Sequence, residues 1–80
     1  METPQDRIDR VCDYRNVPRI EVNQPCVVSG NQGFIIDGNS SCNFNVSFVG
    51  GGVSNCHPHW QMVILSDDLC EPIFDSEEGK

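Results

Sequence analysis

The sequence contains no alanine and one lysine, Lys80, and no window repeats its apolar residues every 3.6 positions. An absence of strong helix formers on this scale argues against a helical bundle. No apolar run approaches the roughly 18 residues that a membrane-crossing helix requires. The first residues (Met1, Glu2, Thr3, Pro4, Gln5, Asp6) are polar and do not have the basic-then-apolar order of a secretory signal, so a mature form with an added start codon is expected. Only five residues are Lys or Arg against twelve Asp or Glu, a formal charge of −7. Nucleic acid is a poor partner for such a surface, because phosphate binding depends on a surplus of cations. Four of the cations, Arg7, Arg10, Arg15 and Arg19, lie in the first quarter, the one marked charge asymmetry.

What is present is Val, Ile, Phe, Asn, Ser and Gly, the composition of strands and turns. Phe44, Val46 and Phe48 alternate with Asn43, Asn45 and Ser47, the period of a strand with one wet face. Trp60 to Leu65 is apolar at nearly every position and is expected as a central strand. Phe34 to Ile36 lies between turn signals, and Ile73 with Phe74 makes a short last strand. Val11 to Asn16 and Arg19 to Val22 form a weaker pair around Pro18, with Pro18 and Pro25 pointing to an edge position for the second member. These elements predict an all-β, disulfide-stabilised sandwich of six strands in two three-stranded antiparallel sheets. Residues 1–9 are expected as a flexible arm, 10–75 as a single domain and 76–80 as an acidic disordered tail, the whole acting as a monomer.

Eighty residues bury only about 60% of the unfolded surface, so crosslinks are expected to supplement the core. Cys12, Cys26, Cys42, Cys56 and Cys70 are dense enough to read as a disulfide framework in an oxidising compartment. If the strand at Phe44 extends backwards, Cys42 shares the parity of Phe44 and lies in the core as a free thiol. The other four allow three pairings, among which spacing does not choose. One of them joins Cys12 to Cys56 and Cys26 to Cys70, with equal separations along the chain.

Catalytic and metal chemistry find little purchase. Cys56, His57 and His59 offer soft ligands, but no further Cys or His pair completes a zinc set. His57 or His59 with Glu21 and an arginine could do acid–base work on RNA, yet an acidic chain without a basic groove suits that substrate badly. No Gly-x-Ser-x-Gly elbow surrounds any serine, Gly50 to Gly52 precede no helix, and Asp67 with Asp68 do not follow a calcium-loop pattern. No enzyme, cofactor or metal is therefore expected. Asn39 and Asn45 each begin an Asn-x-Ser glycan acceptor sequence.

The run Cys56, His57, Pro58, His59, Trp60 into Gln61 to Leu65, followed by Ser66, Asp67, Asp68, Leu69 and Cys70, resembles segments of the MAX effectors. These are ToxB-like and avirulence proteins that fungal pathogens secrete. Cys12 and Cys56 sit where that family places its recurring disulfide, so the resemblance implies a Cys12–Cys56 bridge; Cys70 precedes the last strand where ToxB has it after, and Cys42 is extra. It also implies two stacked three-stranded sheets, secretion, and translocation into the host cytoplasm. There, family members grip a host plant protein, in some cases a small heavy-metal-associated domain or an immune receptor, without catalysis. A toxin or inhibitor acting outside cells is the alternative. Arg15, Arg19 and Glu21 are the candidate partner-binding residues, the last two on a strand edge able to extend a partner's sheet.

Overall fold

The computed structural model describes residues 1–68 and 71–76. It opens with a helix, α1 (Pro4–Arg15), followed by six strands: β1 (Gln24–Val28), β2 (Asn31–Gly38), β3 (Phe44–Phe48), β4 (Val53–Cys56), β5 (Met62–Leu65) and β6 (Pro72–Asp75). Mostly β structure is thus correct. The division into two sheets is not: the six strands form one antiparallel sheet in the order β4-β3-β2-β1-β5-β6. The second layer is the helix.

The helix replaces both the expected arm and the expected strand at Val11–Asn16. Thr3 begins it through a reciprocal cap: its hydroxyl accepts from the Asp6 N–H at 3.2 Å, and the Asp6 carboxylate accepts from the Thr3 N–H at 3.0 Å. Pro4 occupies the first turn, where its missing N–H costs nothing. Asn16 ends the helix in the left-handed conformation (φ 58°). Ile8, Val11 and Cys12, at the spacing i, i+3, i+4, form its buried stripe. Among the described residues no helix is long and apolar enough to cross a membrane.

Residues 17–21 are not a strand, so no sheet edge exists at Arg19–Val22. Gln5 of α1 holds this segment, donating to the Ile20 carbonyl at 2.8 Å and accepting from the Val22 N–H at 2.9 Å. Val17 and Ile20 are thereby buried. Pro25 falls in β1, an interior strand, and is tolerated because β5 pairs only with Cys26–Val28.

The helix rests on β2 at Gly38. A Cβ there would lie 2.4 Å from the Arg7 carbonyl oxygen and 2.9 Å from Val11 Cγ2, so only glycine permits this approach. Asp37 beside it takes a two-bonded salt bridge from Arg7, Nε to Oδ1 at 2.7 Å and Nη2 to Oδ2 at 3.1 Å. Under the helix lie Cys26, Val28, Ile35, Phe44, Val46, Cys56, Met62 and Ile64, all on one face of the sheet.

That face is concave, as chain length demands. Cys56 lies in the row Cys56–Phe44–Gly38 at one end of the sheet, and Met62 in the row Met62–Val28–Asn31 at the other. In a flat sheet four strand spacings of ~4.8 Å and about seven residues of ~3.3 Å would separate them by roughly 30 Å. The six peptide steps between them span at most about 22 Å fully extended. Part of that length is taken up in a turn, with Trp60 N–H donating to the His57 carbonyl at 3.1 Å. The sheet must therefore coil, bringing the end of β4 within about 22 Å of the start of β5.

Ser76, assigned from sequence to the tail, belongs to the fold. It is buried, its hydroxyl accepts from the Met62 N–H at 2.8 Å, and its own N–H donates to the Met62 carbonyl at 2.9 Å. Residues 77–80 and Cys70 lie outside the described residues.

Candidate functional site

Three of the four arginines are neutralised by carboxylates. Arg7 meets Asp37 and Glu2, Arg10 meets Glu2, and Arg19 meets Asp9 at 3.3 Å and Asp13 at 2.9 Å. Arg15 differs. Its guanidinium donates to the carbonyls of Cys42 (3.0 Å) and Ser41 (3.3 Å) and to Asn43 Oδ1 (3.1 Å), all neutral acceptors. Among the described residues it is the arginine whose positive charge no carboxylate cancels.

The connection 57–61 packs against this end of the helix. His59 Nε2 lies 2.6 Å from the Arg15 carbonyl oxygen, and because a carbonyl can only accept, Nε2 carries the proton. The same ring meets Phe74 of β6 edge-on, with centroids 5.6 Å apart. This contact joins two neighbours that the sequence keeps far apart: Tyr14, which precedes Arg15, and Trp60, which follows His59. Tyr14 is 69% exposed and Trp60 57% exposed. Arg15 Cζ stands 5.1 Å from the centre of the Tyr14 ring, a cation–π distance. Tyr14 and Arg15 thus form a cation–π pair at the end of the helix, and the exposed Trp60 follows the histidine that touches that end.

The histidines are poorly placed for acid–base work. His57 Nδ1 accepts from the His59 N–H at 3.0 Å, which occupies its lone pair and leaves the proton of the neutral ring on Nε2. Burial, then the charges of Arg15 and His59, hold the His57 pKa below its ordinary value. Glu21, the carboxylate considered as their helper, is exposed in the loop before β1, where its backbone exchanges hydrogen bonds with Gln24. Among the described residues no group of three or more His, Cys, Asp or Glu could hold a metal ion.

Of the sequence-derived candidates, then, Arg15 is at this end of the helix, Arg19 is held by acidic neighbours and Glu21 lies apart. Tyr14 and Trp60 were not among the candidates, and His59 was considered only for metal or acid–base chemistry. Their aromatic character is visible in the sequence, but their exposure and the contact of His59 with the helix end are tertiary.

The four described cysteines are free thiols. Cys12 is in α1 rather than at the start of a strand, beside the Ile20 backbone. Cys26 and Cys56 are in the core, and Cys42 sits half-buried in the turn before β3 with φ 57°, not on the core face that strand parity predicts. Strand β3 begins only at Phe44, so parity does not extend to it. The structure shows no Cys12–Cys56 bridge, and Cys26–Cys70 lies partly outside the described residues.

The two glycan acceptors are knitted together. Asn39 Nδ2 donates to Asn45 Oδ1 (2.9 Å) and Asn55 Oδ1 (3.1 Å), while Asn39 Oδ1 accepts from the N–H groups of Ser41 and Asn43, both at 3.1 Å. A separate cleft of about 510 Å³ runs between the turns at Gly30 and Gly50, lined by glycine, amide and apolar residues with no ionisable group. It offers shape without chemistry. No family model, no curated protein and no solved structure matches the chain.

Proposed function

We propose that this protein is a non-catalytic protein-binding module that grips its partner through the patch of Tyr14, Arg15, His59 and Trp60. The observation that carries this is the exposure of two large aromatic side chains, Tyr14 beside an arginine that no carboxylate pairs among the described residues and Trp60 next in sequence to the His59 that touches that arginine's backbone. Trp, Tyr and Arg dominate the energetics of protein interfaces because each brings large contact area with few rotatable bonds or several directed donors. Bonds to the Ser41 and Cys42 carbonyls and to Asn43 hold the Arg15 guanidinium in one geometry, so little ordering entropy of that side chain remains to oppose binding.

The setting proposed is that of a secreted fungal effector, translocated into the cytoplasm of a plant host and binding a host protein there. It rests on the resemblance around Cys56–Leu65, not on architecture, since the single six-stranded sheet departs from the two-sheet arrangement of that family. Binding is assigned to the helix end and not to strand addition at Arg19–Val22, which has no strand to offer.

The test is affinity capture with the full chain from host plant extract, followed by titration of the captured protein against wild type, Arg15→Ala and Trp60→Ala. The proposal expects at least a tenfold loss of affinity in each variant, about 1.4 kcal/mol of binding free energy. The thermal midpoint stays unchanged in Trp60→Ala, whereas Arg15→Ala is titrated well below its own midpoint, which the lost bonds to the 41–43 turn lower. Equal capture by wild type and both variants, or capture of nothing, refutes it. RNA digestion by the purified protein, abolished in His57→Ala, would replace it with a nuclease.

A further inference from the structure

Folding makes the two glycan acceptor sequences unequal. Asn39 Oδ1 accepts from the backbone N–H groups of Ser41 and Asn43, both at 3.1 Å, and a backbone N–H can only donate. That fixes the orientation of the Asn39 amide. Its Nδ2 therefore faces Asn45 at 2.9 Å and Asn55 at 3.1 Å, and the atoms it meets there are their Oδ1 oxygens. Both hydrogens of Asn39 Nδ2 are thereby used. An N–C bond of about 1.46 Å laid along either direction would set a sugar carbon about 1.5 Å from an oxygen. A glycan on Asn39 must break at least one of these bonds and disturb the turn between β2 and β3.

Asn45 is the reverse case. Its Oδ1 is held by Asn39, which turns its Nδ2 away, and among the described residues that nitrogen has no hydrogen-bond partner and is not buried. Asn45 and Ser47 alternate along β3 with Phe44 and Val46, which lie fully buried beneath α1. Both side chains of the acceptor sequence thus project from the face of the sheet opposite the helix. Replacing one Nδ2 hydrogen leaves Asn45 Oδ1 in place to accept from Asn39, so the asparagine network survives the modification.

We propose that Asn45 is the N-glycosylation site of this protein and that Asn39 is not one. The donor is an oligosaccharide carried on a lipid pyrophosphate, supplied with its transferase by a secretory pathway. Asn45 Nδ2 bonds to the anomeric carbon of the first sugar, and the bond from that carbon to the pyrophosphate oxygen breaks. The lipid pyrophosphate leaves with the electron pair, and one amide proton passes to a base of the transferase. Both asparagines are offered while the chain is extended; the fold then accommodates a sugar on Asn45 and is damaged by one on Asn39. The modification falls beside an edge. Asn55, opposite Asn45, belongs to β4, which ends the sheet and contains neither a charged residue nor a proline, while its Val53 is exposed. A hydrated glycan next to this strand supplies the protection against strand addition that its own residues lack.

The experiment expresses the full chain behind a cleavable leader in a eukaryotic secretory host, with Ser41→Ala and Ser47→Ala as variants. Each alanine destroys one acceptor sequence and leaves both asparagines in place. The secreted products are weighed intact before and after enzymatic removal of N-glycans, and mapped with chymotrypsin, whose cleavage after Phe44 separates Asn39 from Asn45. One glycan, on Asn45, is expected in wild type and in Ser41→Ala, and none in Ser47→Ala. Wild type trimmed to its first sugar should melt at the midpoint of Ser47→Ala. A wild-type product without a glycan, or with one on Asn39, overturns the inference, and this mapping stands even where an alanine variant does not fold. The inference shares with the proposed function only passage through a secretory pathway, which the leader supplies. Its failure therefore leaves partner binding at the helix end untouched, and failure of partner capture leaves the Asn45 site untouched.

Discussion

Replacing Gly38 by alanine tests the seat of the helix. The added Cβ would stand 2.4 Å from the Arg7 carbonyl oxygen and 2.6 Å from its carbonyl carbon, both backbone atoms that cannot swing aside. Restoring an ordinary contact requires α1 to lift by about 1 Å, and a gap of that size forfeits a quarter to a half of the dispersion energy of the contacts it opens. Ile8, Val11 and Cys12, the buried stripe of the helix, would each lose part of their packing. Overpacking of this kind costs about 1–3 kcal/mol, and the lifted stripe brings the expected loss toward the upper end. For a domain of this size each kcal/mol lowers the melting temperature by roughly 4–8 °C, so a fall of about 10–25 °C is expected. The control is Gly50→Ala, where an added Cβ meets nothing within 4 Å and the midpoint should stay within about 0.5 kcal/mol of wild type. Thermal denaturation followed by circular dichroism measures both. A Gly38→Ala midpoint equal to that of Gly50→Ala would show that the helix does not rest on β2 in this way.

Three further outcomes are expected. Thr3→Ala removes one half of the helix cap and should cost about 1 kcal/mol, read from denaturant midpoints together with a smaller helical signal at 222 nm. The hydrogen bond from Arg7, reinforced by the Gly38 N–H and opposed by burial, holds the Asp37 pKa below its ordinary value. Its stabilising contribution is then complete above the unfolded carboxylate value of about 3.9 and disappears as pH falls through the lower folded value. Wild type should accordingly exceed Asp37→Asn in stability at pH 6 and converge on it in strong acid; a constant difference across that range would rule out the ion pair as its source. Phe44→Ala empties the largest fully buried side chain, and a cost of about 3–5 kcal/mol should leave the domain largely unfolded, visible as collapsed dispersion in a proton NMR spectrum.

Much of the sheet is legible in local pattern. The alternation of Phe44, Val46 and Phe48 marks β3, and Trp60–Leu65, Phe34–Ile36 and Ile73–Phe74 mark β5, β2 and β6 to within a few residues. The failures have physical causes. Strand β1 is masked by Pro25, which suggests an edge unless the limited reach of β5 is known. Strand β4 has one buried residue, Cys56, too few for a period to show. The helix buries three apolar residues over little more than a turn, too short for a 3.6-residue repeat, although Thr3, Pro4 and Asp6 formed a local start signal that could have been read. Whether six strands make one sheet or two depends on β1 meeting β5, a pairing between distant segments that no local pattern encodes. For the same reason Arg15 could be singled out by charge, whereas its grouping with Trp60 depends on His59 reaching the helix end.

The central position of β1 also bears on the order of assembly as the chain leaves the ribosome. Strands β1 to β4 form a run of neighbouring hairpins and can pair as each emerges, but one side of β1 stays open until Met62–Leu65 arrives. Through that interval the nascent protein presents an unsealed flank to any other extended peptide nearby. Synthesis that stalls or terminates before residue 62 would therefore yield a fragment with a nearly complete meander and a pronounced tendency to associate with itself.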